Sequence, residues 1–220
     1  FSYILKIKKI NRKLTIDDLG YLIGPVLNSG GRLGRSKLAT KLLISDDKKE
    51  VQKISTDLLY TNEKRKIIED RTLQKIEKKI VLNKNYIFHV EESISEGILG
   101  ILAARLAEKY NRPVVLATYS GTIIKGSARS IEEIDIGKIL LNLKQKNILI
   151  KGGGHAMAGG FSLLKKNIKK IDEYLQKQIK NNKNNNIYTY LSKHSLSLLN
   201  NSLLKDLRKI APFGSKNPSP

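Results

Sequence analysis

The chain has 220 residues, 40% of them hydrophobic and 28% charged, enough for one sizeable core or two small ones and too evenly mixed for wholesale disorder. Its 41 Lys and Arg against 20 Asp and Glu give a net charge of +21, so polyanions are the natural partners, although its preference for Lys, Ile and Asn is also what AT-rich coding produces. With no cysteine, a disulfide framework, a thiolate metal site and a cysteine nucleophile are excluded, which fits a reducing, cytoplasmic setting.

Residues 1–10 alternate apolar residues with lysines and lack the small-residue cleavage site of a signal peptide; no apolar run further on is long enough to span a bilayer. From Thr15 as N-cap, Asp17 and Asp18 followed by Leu19, Leu22 and Ile23 predict a helix that stops at a Gly-rich turn over 27–35. Residues 36–44 read as a short helix with Leu38, Leu42 and Leu43 on one side. From 46 to 82, Val51, Ile54, Leu58, Ile67, Ile68, Leu73, Ile76 and Ile80 recur among many charges without Pro or Gly, which predicts a long, largely solvated connecting helix.

The pattern changes at Asn83. Strands are expected at 86–90, 113–119, 122–130, 148–150 and 161–164, and helices at 97–110, 135–143 and 168–179. Their alternation predicts a compact α/β domain over 83–180. The Asn-rich tract 181–186 reads as a linker, and a last helical patch over 198–210 ends at Pro212-Phe213-Gly214. Starting at Phe1 rather than Met and stopping at Pro220 after a turn-rich stretch, the chain reads as part of a longer one.

Three clusters of small residues stand out: 28–34, Gly126-Ser127-Ala128-Arg129-Ser130, and 152–160. Each reads either as a tight turn or as a loop whose bare backbone N–H groups and Ser hydroxyls approach a phosphate. Arginine sharpens the choice. Only nine of the basic residues are Arg, and a Lys-rich chain places Arg where a planar bidentate fork matters. Arg32 and Arg35 lie in the first cluster and Arg129 in the second. Arg105 sits on the helix opened by Gly97 and Gly100, whose N-terminus suits a phosphate and whose glycines equally suit close packing. Arg12, Arg65, Arg71, Arg112 and Arg208 read as surface or linker charges. His155 follows three glycines, as a phosphate or sugar ligand or as a simple cap; His89 and His194 carry no assignment. The adjacent acidic pairs Asp17-Asp18, Asp46-Asp47 and Glu91-Glu92 diverge on any regular element, and there is no Asp-x-Asp, His-x-His, P-loop or Gly-x-Ser-x-Gly, so metal ligands and catalytic groups are assigned to no residue here.

Together these segments resemble RecJ-type single-strand-specific DNA exonucleases of the DHH phosphoesterase superfamily. The resemblance runs through Asp18-Leu19-Gly20 followed by Pro25-Val26-Leu27-Asn28-Ser29-Gly30-Gly31-Arg32-Leu33, Asn62-Glu63-Lys64-Arg65, Gly97-Ile98-Leu99-Gly100-Ile101-Leu102-Ala103-Ala104-Arg105-Leu106, Lys125-Gly126-Ser127-Ala128-Arg129-Ser130, Gly153-Gly154-His155-Ala156-Met157-Ala158-Gly159-Gly160 and Ala211-Pro212-Phe213-Gly214-Ser215-Lys216-Asn217-Pro218. It departs from the family at Ile94-Ser95, where Trp-His is usual, and at Ser215-Lys216, where a second glycine is. It implies the end of a DHH domain over 1–45, the connecting helix over 46–82, the DHH-associated α/β domain over 83–180, and a linker with the truncated start of an OB fold over 181–220.

The activity implied is 5′-to-3′ hydrolysis of single-stranded DNA in repair and recombination, with Mn2+ or Mg2+ held by residues upstream of this chain. Arg32, Arg105, Ser127 and Arg129 then match positions around the 5′-terminal phosphate, and Gly153, Gly154 and His155 a loop near the scissile nucleotide. Two other readings stay open: a short-oligonucleotide or cyclic-dinucleotide phosphodiesterase of the same superfamily, and a non-catalytic nucleic-acid-binding module.

Overall fold

The computed structural model describes residues 2–92, 94–179, 195, 198, 200–213 and 217. The tract 181–186, His194, Gly214, Ser215, Lys216 and Pro218 lie outside them.

The N-terminal part is helical. Helix α1 spans Ser2–Ile7, a π-helical turn spans Asp18–Ile23, and α2 (Gly24–Arg32) continues that turn without a break. The glycine-rich segment expected as a turn is therefore the body of α2. Its small residues serve close approach: Ser29 Oγ donates to the carbonyls of Val26 (2.6 Å) and Leu58 (3.2 Å), and a Cβ on Gly30 would lie 2.7 Å from the Arg35 carbonyl oxygen and 3.4 Å from Leu58. The turn comes later, at Gly34, whose φ of +80° lets the Arg35 N–H return to the Gly30 carbonyl and close the helix.

Helix α3 (Lys37–Ile44) follows, then α4 (Lys48–Glu77), whose first turn is capped by the Asp47 carboxylate. With 30 residues α4 is about 45 Å long. Its first half buries Ile54, Leu58 and Leu59 against Ile4, Val26 and Leu42, and its last turns deliver Ile76 to a second core. It is less solvated than its composition suggests. Arg65, expected as a surface charge, is buried: its guanidinium bonds the Asn62 side chain and the Glu69 carboxylate, itself 2% exposed. A run of charges hides this inward polar stripe because one face of a long helix is sampled only every third or fourth residue.

The rest is one five-stranded sheet in the order β1-β2-β3-β5-β4. The elements run β1 (Ile87–Val90), α5 (Glu96–Tyr110), β2 (Val114–Ser120), β3 (Ile123–Arg129), α6 (Ile136–Gln145), β4 (Lys151–His155), β5 (Ala158–Leu164) and α7 (Ile168–Gln178); α8 (Asn201–Lys209) follows separately. Only the β1–β2 pair is parallel, joined by α5 as crossover. One face of the sheet packs Val115, Ile124, Phe161 and Leu163 against α6 and α7, and the other packs Leu116 and Val114 against α5 and Ile76.

Two of the small-residue clusters are strands rather than loops. The expected strand at 148–150 is absent, and residues 151–155 pair instead, so the 152–160 cluster is the hairpin of β4 and β5. Glycine is required there by close approach: a Cβ on Gly159 would come within 2.4 Å of Leu140, and one on Gly126, in β3, within 2.0 Å of the Phe161 ring. No helix among the described residues is long and apolar enough to cross a membrane.

Candidate functional site

On β3 the alternation of a strand puts Ile123, Lys125, Ser127 and Arg129 on one face. Register extends that face in rows. Arg129 pairs with Ala158 and Ala158 with His155; Ser127 pairs with Gly160 and Gly160 with Gly153; Lys125 pairs with Ser162 and Ser162 with Lys151. Helix α5 covers this face over β2 and the near side of β3 and stops short of β5 and β4. The uncovered remainder is the floor of a cleft of about 560 Å³, bordered by Arg32 and by Glu96, Leu99 and Gly100 of α5.

Three elements meet at its end. The last turn of α2 abuts the first turn of α5 so closely that a Cβ on Gly97 would lie 2.1 Å from the Arg32 carbonyl oxygen. The Arg32 guanidinium donates to the Gly97 carbonyl (3.1 Å), and the Arg129 guanidinium donates to Ser127 Oγ (3.2 Å) and the Ala128 carbonyl (2.8 Å). Gly100 makes room for Arg129, since its Cβ would fall 2.9 Å from Nη2. Burial, and then the charge of Arg32, pull the Arg129 guanidinium below its ordinary pKa. Arg12, Arg35, Arg65 and Arg105 each meet a carboxylate, whereas among the described residues Arg32 and Arg129 meet none. Two like charges brought together on an electropositive helix start, with a hydroxyl beside them, are the kind of arrangement that can receive an anion.

Of the residues expected at the site, Arg32, Ser127 and Arg129 line the cleft together. Arg105 stands apart: on another face of α5 its Nη1 pairs with Asp70 of α4 at 2.5 Å, which raises its pKa and braces the connector. Gly153 lies on the cleft's side of the sheet, and a Cβ there would meet nothing within 4 Å, so no protein contact demands glycine. At Gly154 packing does demand it, because a Cβ would lie 2.2 Å from the Ala158 carbonyl. His155 is exposed at the hairpin end, in the row of Arg129 and two strand spacings away, about 10 Å. Its Nδ1 accepts the Met157 N–H (3.4 Å).

Sequence reasoning passed over Lys125, Lys151 and Glu96, all of which line the cleft. In a Lys-rich chain a lysine attracts no notice; the available signal was the period of two that joins Lys125 to Ser127 and Arg129. Among the described residues no three His, Asp or Glu side chains gather as a metal-holding group.

Residues 83–181 match the DHHA1 domain family. Over 163 residues the chain is 36% identical to the single-stranded-DNA-specific exonuclease RecJ of Haemophilus influenzae, covering 69% of this chain and 28% of that protein. Among solved structures it is similar to RecJ from Thermus thermophilus in complex with Mn2+, with a TM-score of 0.71 and 25% identity over 80% of this chain and 26% of that one. The Mg2+ complex of the same organism's RecJ gives 0.70 at 25% identity, over 80% and 28%. The chain thus spans a little over a quarter of the length of the curated relative it matches.

Proposed function

The chain is of the RecJ type within the DHH superfamily, with a DHHA1 domain at residues 83–181, and from that premise we propose that it grips the 5′ end of the substrate in a single-strand-specific, 5′-to-3′ DNA exonuclease of the cytoplasm. One observation carries the reading: Arg32 and Arg129, from α2 and β3, converge on the first turns of α5, beside Ser127, without a carboxylate partner among the described residues. A terminal phosphate monoester carries more negative charge than an internal diester and offers three oxygens to bidentate forks, so such a receptor selects the strand end. Holding that end fixes how far the strand advances, which contributes positioning rather than bond activation.

Gly153 and Gly160 keep the floor beside the phosphate bare for a strand that runs toward His155. We assign Gly154 to shaping this hairpin, and Arg105 to holding α5 against α4 so that the phosphate end keeps its place. Divalent metal ions, Mn2+ or Mg2+, supply the chemistry of hydrolysis in the whole enzyme; the residues described here offer no group to hold one, and no step is routed through a metal in this chain.

The test is a binding titration at fixed salt with 5′-phosphorylated and 5′-hydroxyl single strands. The wild-type chain is expected to prefer the phosphorylated strand, and Arg129→Lys to lose most of that preference, since an ammonium does not reproduce the fork. Equal affinity for both ends in the wild type overturns the proposal. The chain by itself, supplied with Mn2+, is expected to cleave no DNA.

A further inference from the structure

The two guanidiniums of the site come from opposite sides of a junction. Arg32 ends α2, which Val26 anchors in the core of Ile4, Leu42, Ile54 and Leu58. Arg129 ends β3, which Ile124 and Ala128 anchor in the core under α6 and α7. Among the described residues none belongs both to the first of these cores and to either core of the sheet. Helix α4 passes from one side to the other, and between Leu59 and Ile76 its buried positions are Thr61, Asn62, Arg65 and Glu69, polar where both ends are apolar. Beside α4, the sides meet where α2 abuts α5: the Arg32 guanidinium donates to the Gly97 carbonyl (3.1 Å), and a Cβ on Gly97 would lie 2.1 Å from the Arg32 carbonyl oxygen. A junction without a shared apolar core is held less firmly than the units it joins.

We infer that the terminal phosphate is the clasp of this junction: in the free chain, repulsion between Arg32 and Arg129 loosens the contact of α2 with α5, and a bound dianion reverses that interaction and closes it. The inference rests on the terminal-phosphate reading above and adds to it a link between binding and closure. The two guanidiniums already feel each other, because after burial it is the charge of Arg32 that lowers the Arg129 pKa. A ligand shifts such an equilibrium only by binding one arrangement better than the other. Here the difference is geometric, since both forks reach one phosphate only while α2 lies against α5. Charge then selects the ligand. A phosphate monoester brings about two negative charges to the two guanidiniums and an internal diester about one, so an internal phosphate leaves one guanidinium uncompensated and the junction loose. End selection follows from closure as well as from contact.

The chain has no cysteine, so spin labels can be attached through Lys37→Cys on α3 and Lys144→Cys on α6, exposed positions on the two sides. The distance distribution between them is measured by pulsed electron spin resonance at low ionic strength, where like charges are least screened. It is recorded for the free chain and with thymidine, thymidine 5′-monophosphate and the methyl ester of that monophosphate, whose phosphate is a diester; titrations on the same labelled chain give the affinities. The monophosphate is expected to narrow the distribution and shift it to shorter distance, the methyl ester to fall well short of that shift, and thymidine to leave the distribution unchanged. Arg32→Gln should narrow the distribution of the free chain and abolish its response to the monophosphate. Arg35→Gln, which removes the same charge three residues away, should respond as the parent does. A monophosphate that binds more tightly than thymidine without changing the distribution overturns the clasp and leaves the terminal-phosphate reading standing. So does a methyl ester as effective as the monophosphate, or a free Arg32→Gln chain as broadly distributed as its parent. A monophosphate that binds no better than thymidine overturns the terminal-phosphate reading and the clasp with it.

Discussion

Gly100 lies directly beneath the guanidinium of Arg129: a Cβ on Gly100 would come within 2.9 Å of Nη2 and 3.3 Å of Ser127 Oγ. The atom displaced is the tip of a side chain, not backbone, so the two residues are coupled through ligand geometry more than through the core. Gly100→Ala is expected to keep or raise thermal stability, because alanine favours a helix interior by about 1 kcal/mol. It should also lower the preference for 5′-phosphorylated strands. Melting and binding titrations on one preparation check this; a parallel loss of both would show that Gly100 serves the fold instead.

Gly126 meets the opposite kind of neighbour. The Phe161 ring crosses it with atoms 2.0 Å from where a Cβ would stand, and that ring belongs to the core between the sheet and α6. Gly126→Ala should destabilise the chain by about 1–3 kcal/mol or more by overpacking. Adding Phe161→Leu should recover part of the loss, a coupling that urea unfolding of the single and double variants would reveal.

In the middle of α4, Arg65 and Glu69 form an ion pair with side chains 10% and 3% exposed, shared with Asn62. Removing one partner leaves the other charge buried, and Arg65→Met or Glu69→Leu alone should cost about 3–5 kcal/mol. The double variant should cost much less than the sum. Additive losses in denaturant titrations would show that the pair is not coupled.

Glu91, just after β1, accepts from Lys79 (2.7 Å) and Lys75 (3.2 Å) and lies 3.5 Å from His89 Nε2, tying the end of α4 to the sheet. Lys79 foremost, then Lys75 and His89, hold its carboxyl down to about 2 against the opposing effect of burial. The folded pKa lies below the unfolded one, so this group's stabilisation is complete above the ordinary carboxylate pKa and is lost as pH falls from about 4.5 toward 2. Wild type minus Glu91→Gln, followed by chemical unfolding across that range, should show stability converging as acid is added; a constant difference would dissociate Glu91 from the acid response.

The α/β class and the long helix α4 were legible in the sequence, as were most elements from β1 to α7, because local periodicity decides whether a segment is helix or strand. The rarity of Arg in a Lys-rich chain singled out Arg32 and Arg129 for the same reason: residue choice is a local record of the geometry a side chain must satisfy. What the small residues do was not legible. Glycine reads alike in a turn, in a helix pressed against a neighbour and in a strand beneath an aromatic ring, and only packing separates Gly34, Gly30 and Gly126. Packing likewise joined Arg32 to Arg129, turned Arg105 toward Asp70, buried Arg65, and placed Lys151 in a row with Lys125. Those groupings depend on which surfaces of distant segments meet, a property of the folded chain that no window of sequence contains.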